Sequence, residues 1–153
     1  ICHTYVDEHA DLDLAVKVVT DSKTQYVSVC NALETLLIHE KIANDFLPRL
    51  KESLESKGAT IKGCAKTRAI IECEEATEED WQTEYLDYIL SIKIVNSLEE
   101  AIYHINTYGS GHTDCIVSTD EKAVQKFMML VDSVMSLHVL VMDSDMDLEQ
   151  KLV

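Results

Sequence analysis

One cysteine lies where a thiol could take part in chemistry. Cys30 follows a polar turn and precedes the apolar run Leu36, Leu37 and Ile38. A run of that length is typical of a buried strand, so the thiol lies at the strand's entrance. A thiolate in such a place can act as a nucleophile. The alternative is an unreactive structural thiol, because free cysteine is among the most buried residue types.

Composition predicts one globular domain and excludes two classes of partner. The 153 residues are 46% hydrophobic and carry a net charge of -15, which opposes a nucleic-acid surface because phosphate binding needs clustered Lys and Arg. No apolar run approaches the ~20 residues that span a bilayer. The five cysteines form no CxxC pair, so we expect no metal site and a reducing, cytoplasmic setting. Because the chain opens on Ile1, we expect further sequence upstream.

Strand-like and helix-like segments alternate along the chain. The pattern predicts an α/β fold around a largely parallel sheet. The predicted strands are 2–6, 36–38, 60–65, 90–95 and 114–118, and the predicted helices are 11–24, 41–58, 97–109 and 119–132.

Capping residues and one proline mark the helix boundaries. Asp11 is expected to cap the first helix, with Leu12, Ala15, Val16 and Val19 on its buried face. Ser97 and Glu100 predict a capping box, Gly109 a helix stop, and Thr119 the cap of the last helix. Pro48 lies inside the second helix, where a kink or break is expected.

Three segments carry a family resemblance. VCNALETLLIHE (29–40), TEYLDYILSIKIV (83–95) and HINTYGSGHTDCIV (104–117) resemble the glutamate-5-semialdehyde dehydrogenases, or gamma-glutamyl phosphate reductases, of the aldehyde dehydrogenase superfamily. The resemblance implies that residues 1–134 form part of an aldehyde dehydrogenase-like catalytic domain, the part that bears the thiol.

The resemblance also implies an activity. It is the NADPH-dependent reduction of gamma-glutamyl phosphate to glutamate 5-semialdehyde, with release of phosphate, in proline biosynthesis. NADPH would be bound mainly by a domain absent from this chain, which has no GxGxxG, and the enzyme could assemble as a homo-oligomer. Two alternatives stay open: a non-enzymatic remnant that binds a sister subunit, and another acylating aldehyde dehydrogenase.

The same resemblance assigns site residues. Cys30 becomes the nucleophile that holds the acyl group, and its backbone N–H becomes one oxyanion donor. Asn31 shapes the loop around it. Glu84 becomes a contact to the nicotinamide ribose, or else one solvated member of the acidic run that includes Glu78, Glu79 and Asp80. Ser110 and His112 lie in a glycine-flanked loop that could meet a small anion, although a helix stop and turn predict the same residues. His39 lies at the far end of the strand and is not expected to be a base.

The tail departs from the family. Residues 135–153 match none of the family segment NxSTRFxDGFxxGxGAE. Read in a shifted register, codons for Asn-x-Ser-Thr-Arg-Phe spell Met-Ser-Leu-His-Val, and the same shift gives Met-Asp-Ser at 142–144 and Glu-Gln-Lys at 149–151. We therefore hypothesise a frameshifted continuation, in which the strand-like alternation of Leu137, Val139 and Val141 arises by chance.

Overall fold

The computed structural model describes residues 1–139, and these form alternating strands and helices. The strands are β1 (Cys2–Val6), β2 (Leu33–His39), β3 (Thr60–Gly63), β4 (Glu74–Glu75), β5 (Ile89–Val95), β6 (Thr113–Val117) and β7 (Met135–Val139). The helices are α1 (Leu12–Thr24), α2 (Glu40–Ser56), α3 (Ala65–Arg68), α4 (Leu98–Tyr108) and α5 (Glu121–Leu130), with a 3₁₀ helix at Glu78–Gln82.

All seven strands join one sheet in the order β4-β3-β5-β2-β1-β6-β7. Every neighbouring pair is parallel, and Thr4 of β1 stands between Leu36 of β2 and Cys115 of β6. Parallel sheets need both faces covered, which explains why β2 is buried along its whole length. The predicted α/β architecture is confirmed.

Alternate residues of the strands enter two separate cores. On one face, α1 and α2 pack against Val6, Leu36 and Ile38. On the other, α4 and α5 pack against Tyr5 and Leu37. Because successive side chains of a strand point to opposite faces, β1 and β2 contribute to both cores. The strands that frame Cys30 are therefore fixed from two sides.

The predicted caps are partly confirmed. The Asp11 carboxylate accepts from the N–H of Leu14 at 3.0 Å, as expected for an N-cap. Ser97 caps α4, but the Glu100 carboxylate accepts from Asn96 N–H rather than closing a box on Ser97. The prediction for the last helix was wrong by one residue: Asp120 caps α5, while the Thr119 hydroxyl donates to the carbonyl of His9.

Two predictions about the helices need correction. The buried face of α1 includes Leu14 and Val18, whereas Leu12 and Val16 are only partly buried. Helix α2 continues unbroken through Pro48. Pro48 is exposed, so water can satisfy the carbonyl that a proline leaves without its N–H partner.

The tail contributes one strand to the sheet. Met135–Val139 forms β7, an edge strand that pairs with β6 from Thr113↔Met135 to Val117↔Val139. Leu137 and Val139 of the strand-like alternation therefore lie in β7. Val141 and positions 142–153 lie outside the described residues. Within residues 1–139, every helix is too short or too polar to cross a membrane.

Candidate active site

Cys30 occupies a turn directly before β2. Ala32 donates its N–H to the carbonyl of Val29 at 3.0 Å, which closes a four-residue turn with Cys30 and Asn31 at its centre. Cys30 is an exposed free thiol. Among residues 1–139 its N–H has no hydrogen-bond partner, because the central residues of such a turn keep their donors outside it. Both the sulfur and a backbone donor therefore face solvent.

A second cysteine holds the other side of this turn. Cys2, buried at the start of β1, donates its thiol to the carbonyl of Cys30 with a sulfur–oxygen distance of 3.2 Å. Burial raises the pKa of the Cys2 thiol, which keeps the proton that this bond requires. Cys2 Sγ also lies 4.0 Å from His112 Nδ1, and His112 Nδ1 is 2.7 Å from the Thr113 hydroxyl. His112 thus reaches Cys30 only through Cys2.

The loop that carries Ser110 and His112 is pinned between two strands. Ser110 Oγ donates to the carbonyl of Ile1 at 3.4 Å. Gly111 has a φ of +70°, a left-handed conformation that favours glycine. Its carbonyl accepts from Val134 N–H at 2.8 Å, and the carbonyl of His112 accepts from Met135 N–H at 3.0 Å. The loop is thereby fixed between β1 and β7, with Ser110 and His112 both exposed.

Glu84 lies in the loop that leads into β5. Its side chain is exposed, and no other residue between 1 and 139 binds its carboxylate. The next residue, Tyr85, donates its hydroxyl to Asp80 at 2.7 Å and lies 2.6 Å from the Ser91 hydroxyl. The loop is therefore anchored, while the Glu84 carboxylate remains free for a hydroxyl-bearing ligand.

The candidate site residues all lie at the same edge of the sheet. Cys30 precedes β2, Glu84 precedes β5, and Ser110 and His112 precede β6. Because the three strands are parallel, the segments before them share the amino edge. Helices between parallel strands run back to this edge, so their carboxyl ends, with negative dipole, face it. No described helix amino terminus is available to stabilise a Cys30 thiolate.

A groove lies beside the Cys30 turn. It has a volume of about 580 Å³ and runs between the last turns of α1 and strands β6 and β7. Val29 and Asn31, the neighbours of Cys30, line it together with Tyr26 and Leu137. Asn31 therefore borders a space large enough for a small molecule. The sequence predicts for Asn31 only a role in shaping the Cys30 loop.

Comparison with known proteins shows which enzymes this segment resembles. No family model matches the chain. Over 133 residues, 87% of its length, the chain is 60% identical to the gamma-glutamyl phosphate reductase of Acetivibrio thermocellus and 59% identical to that of Pelotomaculum thermopropionicum. Over these residues, the chain is homologous to gamma-glutamyl phosphate reductase. It spans about a third, 31%, of the length of these two relatives.

Solved structures agree with this assignment. The gamma-glutamyl phosphate reductase of Thermotoga maritima superposes with a TM-score of 0.87 at 46% identity, covering 90% of this chain and 33% of that one. An acetylating aldehyde dehydrogenase from Geobacillus thermoglucosidasius matches with a TM-score of 0.69 at 21% identity, covering 90% of this chain and 39% of that one. That second likeness shows the shared aldehyde dehydrogenase-like fold alone.

The sequence-predicted site residues fall into two groups. Cys30, Glu84, Ser110 and His112 share the amino edge, although no hydrogen bond joins any two of them. His39 lies at the opposite edge, where its Nδ1 accepts from Lys41 N–H at 3.1 Å and caps α2. The sulfur of Cys30 has no partner base within residues 1–139.

Sequence reasoning missed three side chains around the candidate site. Cys2 holds the Cys30 carbonyl, and a buried Lys23–Glu34 pair links α1, β2 and the Glu84 loop. Glu34 precedes the predicted strand 36–38 but lies inside the observed β2, which begins at Leu33 and is buried throughout. The predicted bounds therefore gave no sign that Glu34 is buried.

Proposed function

We propose that this chain provides the thiol-bearing part of an NADPH-dependent gamma-glutamyl phosphate reductase, with Cys30 as the nucleophile. The observation that carries the proposal is the exposed Cys30 thiol, held in a turn whose N–H is unpaired, within a segment 60% identical to such a reductase. On this proposal the product is glutamate 5-semialdehyde, as proline biosynthesis requires.

The proposed chemistry begins at the sulfur. The Cys30 thiolate attacks the acyl carbon of gamma-glutamyl phosphate, the bond to the phosphate oxygen breaks, and inorganic phosphate leaves a thioester on Cys30. The unpaired N–H of Cys30 donates to the oxygen that becomes negative in this step, an interaction typically worth about 3 kcal/mol. The Cys2 thiol binds the Cys30 carbonyl and so holds the next peptide group, between Cys30 and Asn31.

The chain fits one part of a nicotinamide cofactor. Glu84 offers an exposed, unpaired carboxylate at the edge that carries Cys30, suited to accept hydrogen bonds from ribose hydroxyls. Bound NADPH would supply the hydride that reduces the thioester carbon. Cys30 then leaves as a thiolate when the aldehyde is released.

A chimera tests the proposal. The 133 matching residues of the Acetivibrio thermocellus reductase are replaced by those of this chain, and NADPH formation is followed with glutamate 5-semialdehyde, NADP and phosphate. Activity should appear, and Cys30→Ser should lower it by roughly 10³-fold or more. Cys64→Ser is the matched control, because Cys64 lies away from the amino edge, and it should retain activity. An inactive chimera with a native fold would contradict the proposal.

The same chimera separates the proposed substrate from the alternative acylating dehydrogenases. It should prefer glutamate 5-semialdehyde with phosphate over acetaldehyde with coenzyme A. The opposite preference would favour the other acylating class. Self-association and a cytoplasmic setting accompany the proposal as further predictions, and gel filtration and cell fractionation check them.

A further inference from the structure

A buried ion pair lies beneath the candidate site. Lys23 Nζ, from the last turn of α1, lies 3.1 Å from Glu34 Oε2 of β2, and their side chains are 0% and 2% exposed. Burial lowers the pKa of Lys23 although Glu34 opposes the shift. Removing two charges from water is costly, and the proposed chemistry uses neither group.

The Glu34 carboxylate also binds the Glu84 loop. Oε2 accepts from the N–H of Tyr85 at 3.3 Å, and Oε1 accepts from the N–H of Leu86 at 3.4 Å. These donors belong to the two residues that follow Glu84. Glu34 lies in β2, four residues after Cys30. Its single carboxylate therefore connects the strand that follows Cys30 with the loop that carries Glu84.

The backbone of Leu86, one of the two residues bound by Glu34, has an unusual conformation. Leu86 has a φ of +52°, which is unfavourable for any residue that carries a Cβ atom. Its side chain is 49% exposed, so packing of the side chain does not explain the conformation. In this conformation the N–H of Leu86 donates to Glu34 Oε1, which ties the loop backbone to β2.

We propose that Glu34, oriented by Lys23, is a positioning residue that fixes the Glu84 loop relative to Cys30. This inference rests on the proposed function, since Glu84 is the cofactor contact there. The hydroxyl of Tyr85 anchors the side chain of the loop separately, through Asp80 and Ser91. Glu34 anchors its backbone.

The anchor is tested first without cofactor, on the 153-residue chain. Amide hydrogen exchange at Tyr85 and Leu86 is compared in wild type, Glu34→Gln, Lys23→Met and the double variant. Each single variant leaves one buried group without its partner and should lower the midpoint of urea unfolding. The double variant removes both charges and should recover the midpoint, while Tyr85 and Leu86 still exchange at least 10-fold faster than in wild type.

Two control variants separate positioning from general weakening. Thr20→Val removes the 2.8 Å hydrogen bond between α1 and Ser53 of α2 and leaves Glu34 untouched. Tyr85→Phe removes the hydroxyl anchor and leaves the backbone bonds. Neither should speed exchange at Leu86 beyond its effect on global unfolding. Unchanged exchange at Tyr85 and Leu86 in the double variant would overturn the proposal.

The second readout is kinetic, in the chimera described above. The double variant should raise the KM for NADP at least 5-fold, and the alkylation rate of Cys30 by iodoacetamide should stay within 2-fold. A loosened loop with an unchanged KM would also overturn the positioning role. A wild-type chimera without activity would instead count against the proposed function, and the amide exchange result would still be interpretable.

Discussion

A buried histidine should make this chain sensitive to mild acid. His104 of α4 is 1% exposed and lies edge-on to the rings of His3 and Trp81, each with a centroid distance of 5.6 Å. Lys93 Nζ is 3.5 Å from its Nδ1, and no described residue binds its Nε2. Burial, with the neighbouring His3 and Lys93, lowers the pKa of His104 to about 3.

The sign and size of the effect follow from this pKa. The folded state keeps His104 neutral, whereas the unfolded chain takes up a proton below about pH 6.5, so acid favours unfolding. Each pKa unit corresponds to about 1.4 kcal/mol, and the free energy of unfolding should fall by about 2.5 kcal/mol between pH 7 and pH 4.5 from this group alone. The loss should continue until the pH reaches about 3.

Urea unfolding at a series of pH values measures this contribution. His104→Phe keeps an aromatic ring but cannot be protonated, so its stability should fall about 2.5 kcal/mol less than that of wild type over the same range. Carboxylates titrate in both proteins and cancel in the difference. His9→Phe, at an exposed histidine, should follow wild type. Parallel curves for wild type and His104→Phe would refute the reasoning.

Three further predictions concern the site loop, a second thiol and the tail. Gly111→Ala should lower stability by about 1 kcal/mol because of its left-handed φ. It should also speed amide exchange at Val134, whereas Gly58→Ala, with a φ of +77° but far from this loop, should share only the loss of stability. Burial opposes ionisation of Cys64, but hydrogen bonds from the Thr67 hydroxyl and the backbone outweigh it and lower the pKa of its thiol. Thr67→Val should therefore slow alkylation of Cys64 near pH 7.5 and leave Cys30 unchanged. Sequencing the DNA should recover the family segment NxSTRFxDGFxxGxGAE in a neighbouring frame, and an intact frame without it would refute the frameshift hypothesis.

The elements of this fold were largely predictable because each carries a local signal. The apolar run after Cys30 and the capping residues Asp11 and Ser97 predict strands and helices without reference to the rest of the chain. Thr119 and Asp120 are both good caps, so neighbouring residues compete and the boundary shifted by one. Pro48 shows a second limit of prediction from sequence. The destabilisation of a helix by an internal proline depends on whether water can bind the carbonyl that loses its N–H partner, and this depends on the fold.

The geometry of the site was less accessible from sequence. Cys30, Glu84 and His112 could each be chosen from the family resemblance, and the parallel strand order then places them on one edge. The bonds that hold them are long-range: Cys2 reaches Cys30 across 28 positions, and Glu34 reaches Leu86 across 52. Such pairs depend on β1 and β5 both lying beside β2, an order that periodicity does not encode.

The most direct test is to look for the acyl group on the sulfur. The chimera is given glutamate 5-semialdehyde and NADP without phosphate, so that the acyl group has no acceptor other than water. We predict a burst of about one NADPH per active site, together with a glutamyl adduct on the peptide that contains Cys30, and phosphate should release it. An active chimera whose adduct forms elsewhere, or that turns over undiminished as Cys30→Ser, would contradict the account.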